Sequence, residues 1–247
     1  MNERRVLFIV EGSRGEPRLL RKMHSTLFGT QVDNIFWHGT VIHDLIARVF
    51  IDGTLDDDLD IVSVLRESIT DVNRRKVLEQ EFSDIYLVFD MDPHDPRYDK
   101  DLLNKAMRFF SDSTVNGKLY LNYPMLESYR HLRRHDDEDY LERTVTIDEI
   151  YRYKTIVELE SHPDFKQLNG YTPETFDEII RMNLRKANSI LNGDRSVPDV
   201  NEFLSWSGSE ILDLQTDSMA RENRIHVLNT SMFYPVEFAP SRFIDGE

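Results

Sequence analysis

Ile85-Tyr86-Leu87-Val88-Phe89-Asp90-Met91-Asp92 opens with five large apolar residues and closes on two acids. Such an unbroken apolar run, rich in β-branched and aromatic types, suits a strand covered on both faces, as in a parallel sheet. Ligands of open α/β sheets bind at the carboxyl edge. Side chains two apart on a strand point the same way, so extended geometry carried through to Asp92 predicts both carboxylates facing one pocket. Two such groups repel unless a cation or proton separates them. An all-oxygen pair suits Mg²⁺ or Mn²⁺ better than zinc.

Working outward, residues 6–10 form a second continuous apolar run, followed by Glu11-Gly12-Ser13-Arg14-Gly15-Glu16-Pro17. Pro17 is placed as a first-turn proline, and Leu19, Leu20, Met23 and Leu27 recur at helical spacing. Strand, glycine-bearing turn and helix make the opening of a βα unit. Short strands are expected at 35–37 and 119–123. Helices are expected behind residue 40, behind the acidic loop 56–60, over 72–82, after residue 98 and over 125–135. Beyond residue 144 the pattern turns helical, with one helix over 147–159, a long one starting at Thr172-Pro173-Glu174, and another over 200–214. The expected architecture is α/β: a Rossmann-like parallel sheet flanked by helices over residues 1–140, and a mainly helical region, 141–247, packed on it.

Charge and composition narrow the function. A net charge of −15 argues against a chain that coats nucleic acid unaided, and points instead to a homo-oligomer or a second protein that completes the electrostatic footprint. No apolar run approaches the roughly 20 residues that cross a bilayer, so no membrane association is expected. The start, Met1-Asn2-Glu3-Arg4-Arg5 before Val6, turns acidic too soon for a secretory signal. With no cysteine there is no disulfide or thiolate metal site, which fits a cytoplasmic protein.

Glu11 closes the first strand as Asp90 and Asp92 close the third, and in a parallel sheet both ends share an edge. Clusters of this kind serve phosphoryl transfer, where cations neutralise charge on the attacking and leaving oxygens. Acids at strand ends are also ordinary loop residues or helix caps. Arg14, Arg18, Arg21 and Lys22 lie near Glu11, and Arg130, Arg133 and Arg134 near Glu127; solvated helix faces carry the same pattern. His94 is a candidate for work on a leaving group. His131 and His135, four apart, make a weak metal pair without further ligands.

Val10-Glu11-Gly12 after one strand and Asp90-Met91-Asp92 after another resemble the TOPRIM domain of topoisomerases, primases and nucleases. Glu16-Pro17 and the run Tyr123-Pro124-Met125-Leu126-Glu127-Ser128-Tyr129 are most similar to the branch found in OLD-family nucleases and RloB-like proteins of bacterial defence loci. The resemblance covers residues 5–135. It implies a Mg²⁺- or Mn²⁺-dependent nuclease that hydrolyses phosphodiester bonds in DNA or RNA, in antiviral defence, with a partner such as an ATPase. It makes Glu11 the general acid or base and Asp90 and Asp92 the metal ligands, with Glu16 and Glu127 as additional ligands. Arg14, Arg18 and Arg130 are then the candidate nucleic-acid contacts. The chain departs from the pattern at Pro93, where many relatives carry a small residue or glycine. Glu16 and Glu127 also have a competing role, charging the positive end of a helix. A family-style lysine is expected from the back region, where Lys154, Lys166 and Lys186 are available. The same edge also serves a non-catalytic module that binds Mg²⁺ with a nucleotide or nucleic acid.

Overall fold

Five strands form the central sheet: β1 Val6–Val10, β2 Ile35–Trp37, β3 Asp84–Asp90, β4 Ser111–Asp112 and β5 Gly117–Asn122. Their order is β2-β1-β3-β5-β4, with only the short β4 antiparallel. The computed structural model describes residues 4–51, 53–56 and 59–243. Asp57 and Asp58 of the expected acidic loop, and the first three residues, lie outside them. The run that suggested a two-faced strand is β3, whose residues from Tyr86 to Phe89 are fully buried, and it lies between β1 and β5.

Helices α1 Gly15–Phe28, α2 Ile42–Val49, α3 Ile61–Ser68, α4 Val72–Val77 and α5 Lys100–Phe109 accompany the sheet. Then come α6 Tyr153–Glu160, α7 Pro163–Lys166, α8 Pro173–Asn192, α9 Val200–Ser205, α10 Gly208–Glu222, α11 Tyr234–Phe238 and α12 Pro240–Phe243. A small antiparallel ribbon, β6 Thr144–Thr146 with β7 Arg224–His226, joins them. The back of the chain packs on the front: α8 meets α1, α10 meets α5, and Tyr123 and Leu228 exchange backbone hydrogen bonds of 2.8 and 2.9 Å. Tyr234 packs its ring edge-on against the stacked pair Phe8 and Tyr86, at 4.8 and 4.9 Å between centroids.

Four expected helices are shorter or differently wound. Residues 125–135 hold only a 3₁₀ turn, Leu126–Arg130. Their backbone groups find partners elsewhere: Leu126 O accepts from Asn229 Nδ2, Leu132 O from His162 N, and Arg133 N donates to Asp137. Residues 147–159 split into a 3₁₀ turn, Ile147–Arg152, and α6. The helix expected over 200–214 breaks at Trp206, whose ring packs against Phe203 and Phe233, and restarts where Ser207 caps α10. α4 ends at Val77, and the carbonyl of Leu78 is taken by Arg66 at 2.7 and 3.1 Å.

The 3₁₀ turn carrying Glu127 is anchored by a buried amide pair. Asn229 Nδ2 donates to Leu126 O at 2.7 Å and to Ser128 Oγ at 3.1 Å, while its own N–H donates to Asn183 Oδ1 at 2.8 Å. Asn183 Oδ1 also accepts from Tyr140 Oη, which ties α8 into the same network. Buried polar groups left without partners are costly, so the network specifies one geometry. Asn229→Leu is expected to lower unfolding free energy by roughly 1–3 kcal/mol per orphaned partner, read by urea denaturation. A loss below the range of ordinary surface substitutions would show the turn anchored in another way.

Candidate functional site

Parallel register brings the ends of β1 and β3 side by side. Val10 pairs with Val88, Glu11 N donates to Val88 O, and Asp90 N donates back to Glu11 Oε2 at 3.3 Å. Asp90 pairs in turn with Asn122 at the end of β5. Three strand ends thus share one edge, and Glu11 and Asp90 meet there as expected.

Glu16 arrives from the first turn of α1. It is buried, and its Oε1 accepts the N–H of Gly12 at 3.3 Å. A Cβ at residue 12 would lie 2.9 Å from Glu16 Oε2, so glycine leaves room for that carboxylate. Glu16 therefore combines its helix-end position with a place among the acids, because its field reaches both Glu11 and Asp90. Glu127 comes from the 3₁₀ turn beyond β5, not from an α-helix, and it too acts on Asp90.

Asp92 is placed differently from the expectation. β3 ends at Asp90, and Asp92 has φ 42°, a left-handed conformation that aspartate tolerates better than most residues. The strand alternation that would aim both aspartates alike is therefore broken before Asp92. His43, a buried residue of α2 that sequence reasoning missed, donates from Nε2 to the carbonyls of Met91 and Asp92, each at 3.1 Å, and pins this turn. Asp92 still acts on Glu11.

Crowding sets the protonation. Burial raises the Glu11 carboxyl to about 7; the hydrogen bond from Asp90 N–H opposes this, and Glu16 and Asp92 add to it. Burial likewise holds Asp90 well above the usual carboxylate range, reinforced by Glu11, Glu16 and Glu127. Asp90 Oδ1 and Glu127 Oε2 are buried without a hydrogen-bond partner.

Of the three candidate lysines, the fold brings Lys154 to the acids. Its Nζ lies 3.3 Å from Glu127 Oε1. Burial lowers its affinity for the proton, but Glu127, Asp90 and Glu16 outweigh that and raise its pKa. The neighbouring Tyr153, fully buried and hydrogen-bonded to His131 Nδ1 at 2.9 Å, fixes α6 against the chain following Glu127. Because the Lys154 side chain is 69 % exposed, this ion pair adds little stability. Lys186 is instead a buried structural group that donates to the carbonyls of Leu141 and Arg143.

Beside the acids lies a groove of about 350 Å³, lined by Gly15, Arg18, Glu127, Arg130 and Lys166 among others. Arg18 is held by Asn169 at 3.0 Å and Arg130 by Glu158 at 2.9 Å. Arg14 stands exposed in the turn before α1. Arg133 and Arg134 are paired with Glu160 and Asp139, and His94 is bound to the carbonyl of Ile147.

The donors suit a hard cation: all are oxygens, and two are buried lone-pair atoms with no other partner. Among the described residues, no three of Glu11, Glu16, Asp90, Asp92 and Glu127 bring oxygens all within 4.8 Å of one another. The acids gather without closing into the shared cage that the sequence suggested. Mg²⁺ is compatible with this, since it keeps several waters and is usually bound through one or two carboxylates plus substrate phosphate. Comparison with protein-family models, curated proteins and solved structures returns no match to this chain.

The raised carboxyls have a definite pH signature. Glu11 ionises near 4.5 when unfolded and near 7 when folded, so the folded state holds the extra proton in between. Stability from this group therefore falls as pH rises from about 4.5 to about 7. His24, His131 and His226, lowered by burial to about 4, act in the opposite sense over part of that range, so the comparison needed is wild type against Glu11→Gln. In metal-free protein the stability of Glu11→Gln relative to wild type is expected to increase across that window, measured by urea denaturation at stepped pH. A constant difference would show that Glu11 ionises normally.

Proposed function

We propose that this chain is a TOPRIM-type, Mg²⁺- or Mn²⁺-dependent nuclease that hydrolyses phosphodiester bonds in DNA or RNA. One observation carries the reading: Asp90, half-buried at the end of the central strand, lies in the field of Glu11, Glu16 and Glu127 with one buried oxygen unpartnered. Such crowding has little value for stability, and is the arrangement expected where a cation is to be bound. Glu11 and Asp90 would hold the ion, with Asp92, Glu16 and Glu127 in reach of the same edge. A bound divalent cation supplies charge neutralisation on the phosphate and lowers the pKa of a coordinated water.

The chain's own residues account for the remaining chemistry. Glu11, joined to Asp90 N–H at the same edge, is placed to take a proton from the attacking water or return one to the leaving oxygen. Lys154 sets a positive charge beside Glu127, where it can pair with a phosphate oxygen. Arg18, Arg130 and Lys166 line a groove suited to the flanking backbone, and Arg14 extends that basic surface from the turn. With a net charge of −15, long nucleic acid is poorly attracted by the whole molecule, so a homo-oligomer or a second protein, an ATPase in the defence reading, completes the footprint.

Asp90→Asn is expected to remove Mn²⁺- or Mg²⁺-dependent cleavage of DNA or RNA while the protein stays folded. Lys154→Met should lower turnover about 10²-fold or more, the scale of a lost charge-stabilising contact. Full cleavage by a folded Asp90→Asn protein would end the proposal, and metal-dependent binding without turnover in wild type would mark a binding module instead. The double variant Arg18→Ala/Arg130→Ala should weaken binding in a sequence-independent way. It should also flatten the dependence of log K on log salt by about 0.7–0.9 per lost phosphate contact.

A further inference from the structure

Away from the acidic edge, three side chains from two segments meet at the surface. His135 lies beyond the 3₁₀ turn of Glu127; His162 and Asp164 flank and begin α7. Each offers one ligand atom, and all three atoms fall within 4.8 Å of one another. His135 Nε2 is 3.0 Å from Asp164 Oδ2, and His162 Nδ1 is 3.7 Å from the same oxygen. Zinc bonds of about 2.0–2.1 Å in a tetrahedron separate ligand atoms by about 3.3 Å, a spacing that the two observed distances bracket. We infer that His135, His162 and Asp164 form a zinc site, with solvent in the fourth position.

Two further features place His135 as a ligand, although without metal it forms ion pairs with Glu178 and Asp164. His135 is oriented from behind: its Nδ1 is 2.7 Å from Glu178 Oε2, and the other oxygen of Glu178 accepts the N–H of Asp136 at 2.8 Å. Without metal, His135 donates from Nδ1 to Glu178 and from Nε2 to Asp164; zinc would displace the Nε2 proton and leave the Nδ1–H to carboxylate bond, the usual support of a zinc-binding imidazole. The ring of His135 also packs on Phe165, at 5.2 Å between centroids, and Phe165 is fully buried. Phe165 thus seats the His135 ring beside α7, within reach of the exposed Asp164 carboxylate. His162 Nδ1 caps α7 by accepting a long 3.3 Å bond from Asp164 N–H, and binding zinc would draw that lone pair from the cap. Imidazole nitrogens with one carboxylate select zinc-like ions, in contrast to the all-oxygen edge around Asp90.

The position gives the ion a structural task. α7 carries Asp164 and ends at Lys166, which lines the basic groove. Zinc would tie this short helix to the segment following Glu127 and, through Glu178, to α8. This inference does not depend on the nuclease reading.

The test uses the full chain, stripped of metal and titrated with Zn²⁺ against a chromogenic chelator. One equivalent is expected to bind, and His162→Gln or His135→Ala should weaken it by at least about 100-fold. Glu178→Gln, which removes no ligand, should weaken it by about 10–100-fold. Zn²⁺ should raise the melting temperature of wild type but not of His162→Gln, a substitution at a partly exposed site that leaves the core untouched. Asp90→Asn should bind zinc as wild type does. Failure of wild type to bind at micromolar zinc, or unchanged binding by both histidine variants, would overturn the proposal. So would loss of zinc in Asp90→Asn with the histidine variants unaffected, because the ion would then belong to the carboxylate edge.

Discussion

One lateral step between neighbouring parallel strands governs the candidate site. Once Val10 lies beside Val88, the residue following β1 and the last of β3 must end on the same edge, and a single N–H from Asp90 to Glu11 joins them. Repulsion follows directly, because burial removes the water that would screen two carboxylates. The molecule answers with backbone donors, with the Lys154 ammonium, and with protons retained near neutrality. None of these fully satisfies Asp90 or Glu127, each of which keeps a buried oxygen without a partner.

Much of the front of the chain was legible because its signals are local. The two-faced apolar runs of β1 and β3, and the glycine turn into α1, follow from short stretches whose burial and spacing leave few alternatives. The joint placement of Glu11 and Asp90 followed from parallel topology alone. Asp92 was misread because alternation was extended one step past the strand, into a residue with positive φ. The two-residue strand β4 carries too few residues to show a pattern, so the strand expected fourth is β5.

Other features lay beyond local reading for a physical reason: their causes are distant in sequence. The turn of Glu127 looked helical because its apolar residues have helical spacing, yet its carbonyl at Leu126 is claimed by Asn229, over a hundred positions away. Lys154 was indistinguishable from Lys166 and Lys186 until Tyr153 was seen locked against His131. His131 and His135, spaced as a helical pair in sequence, take different partners in the fold. His131 is buried against Tyr153 and Glu160, whereas His135 finds its companions in His162 and Asp164.

The hold of Asn229 on the Glu127 turn has a consequence for synthesis. During translation the acids of β1 and β3 leave the ribosome well before the amide that secures Glu127, and before the α6 lysine that faces it. A nascent chain therefore carries these acids while its charged edge is still unfinished. Completion of that edge is coupled to the arrival of the later helices, which gives the cell an interval in which the polypeptide exists without its final constellation of charges.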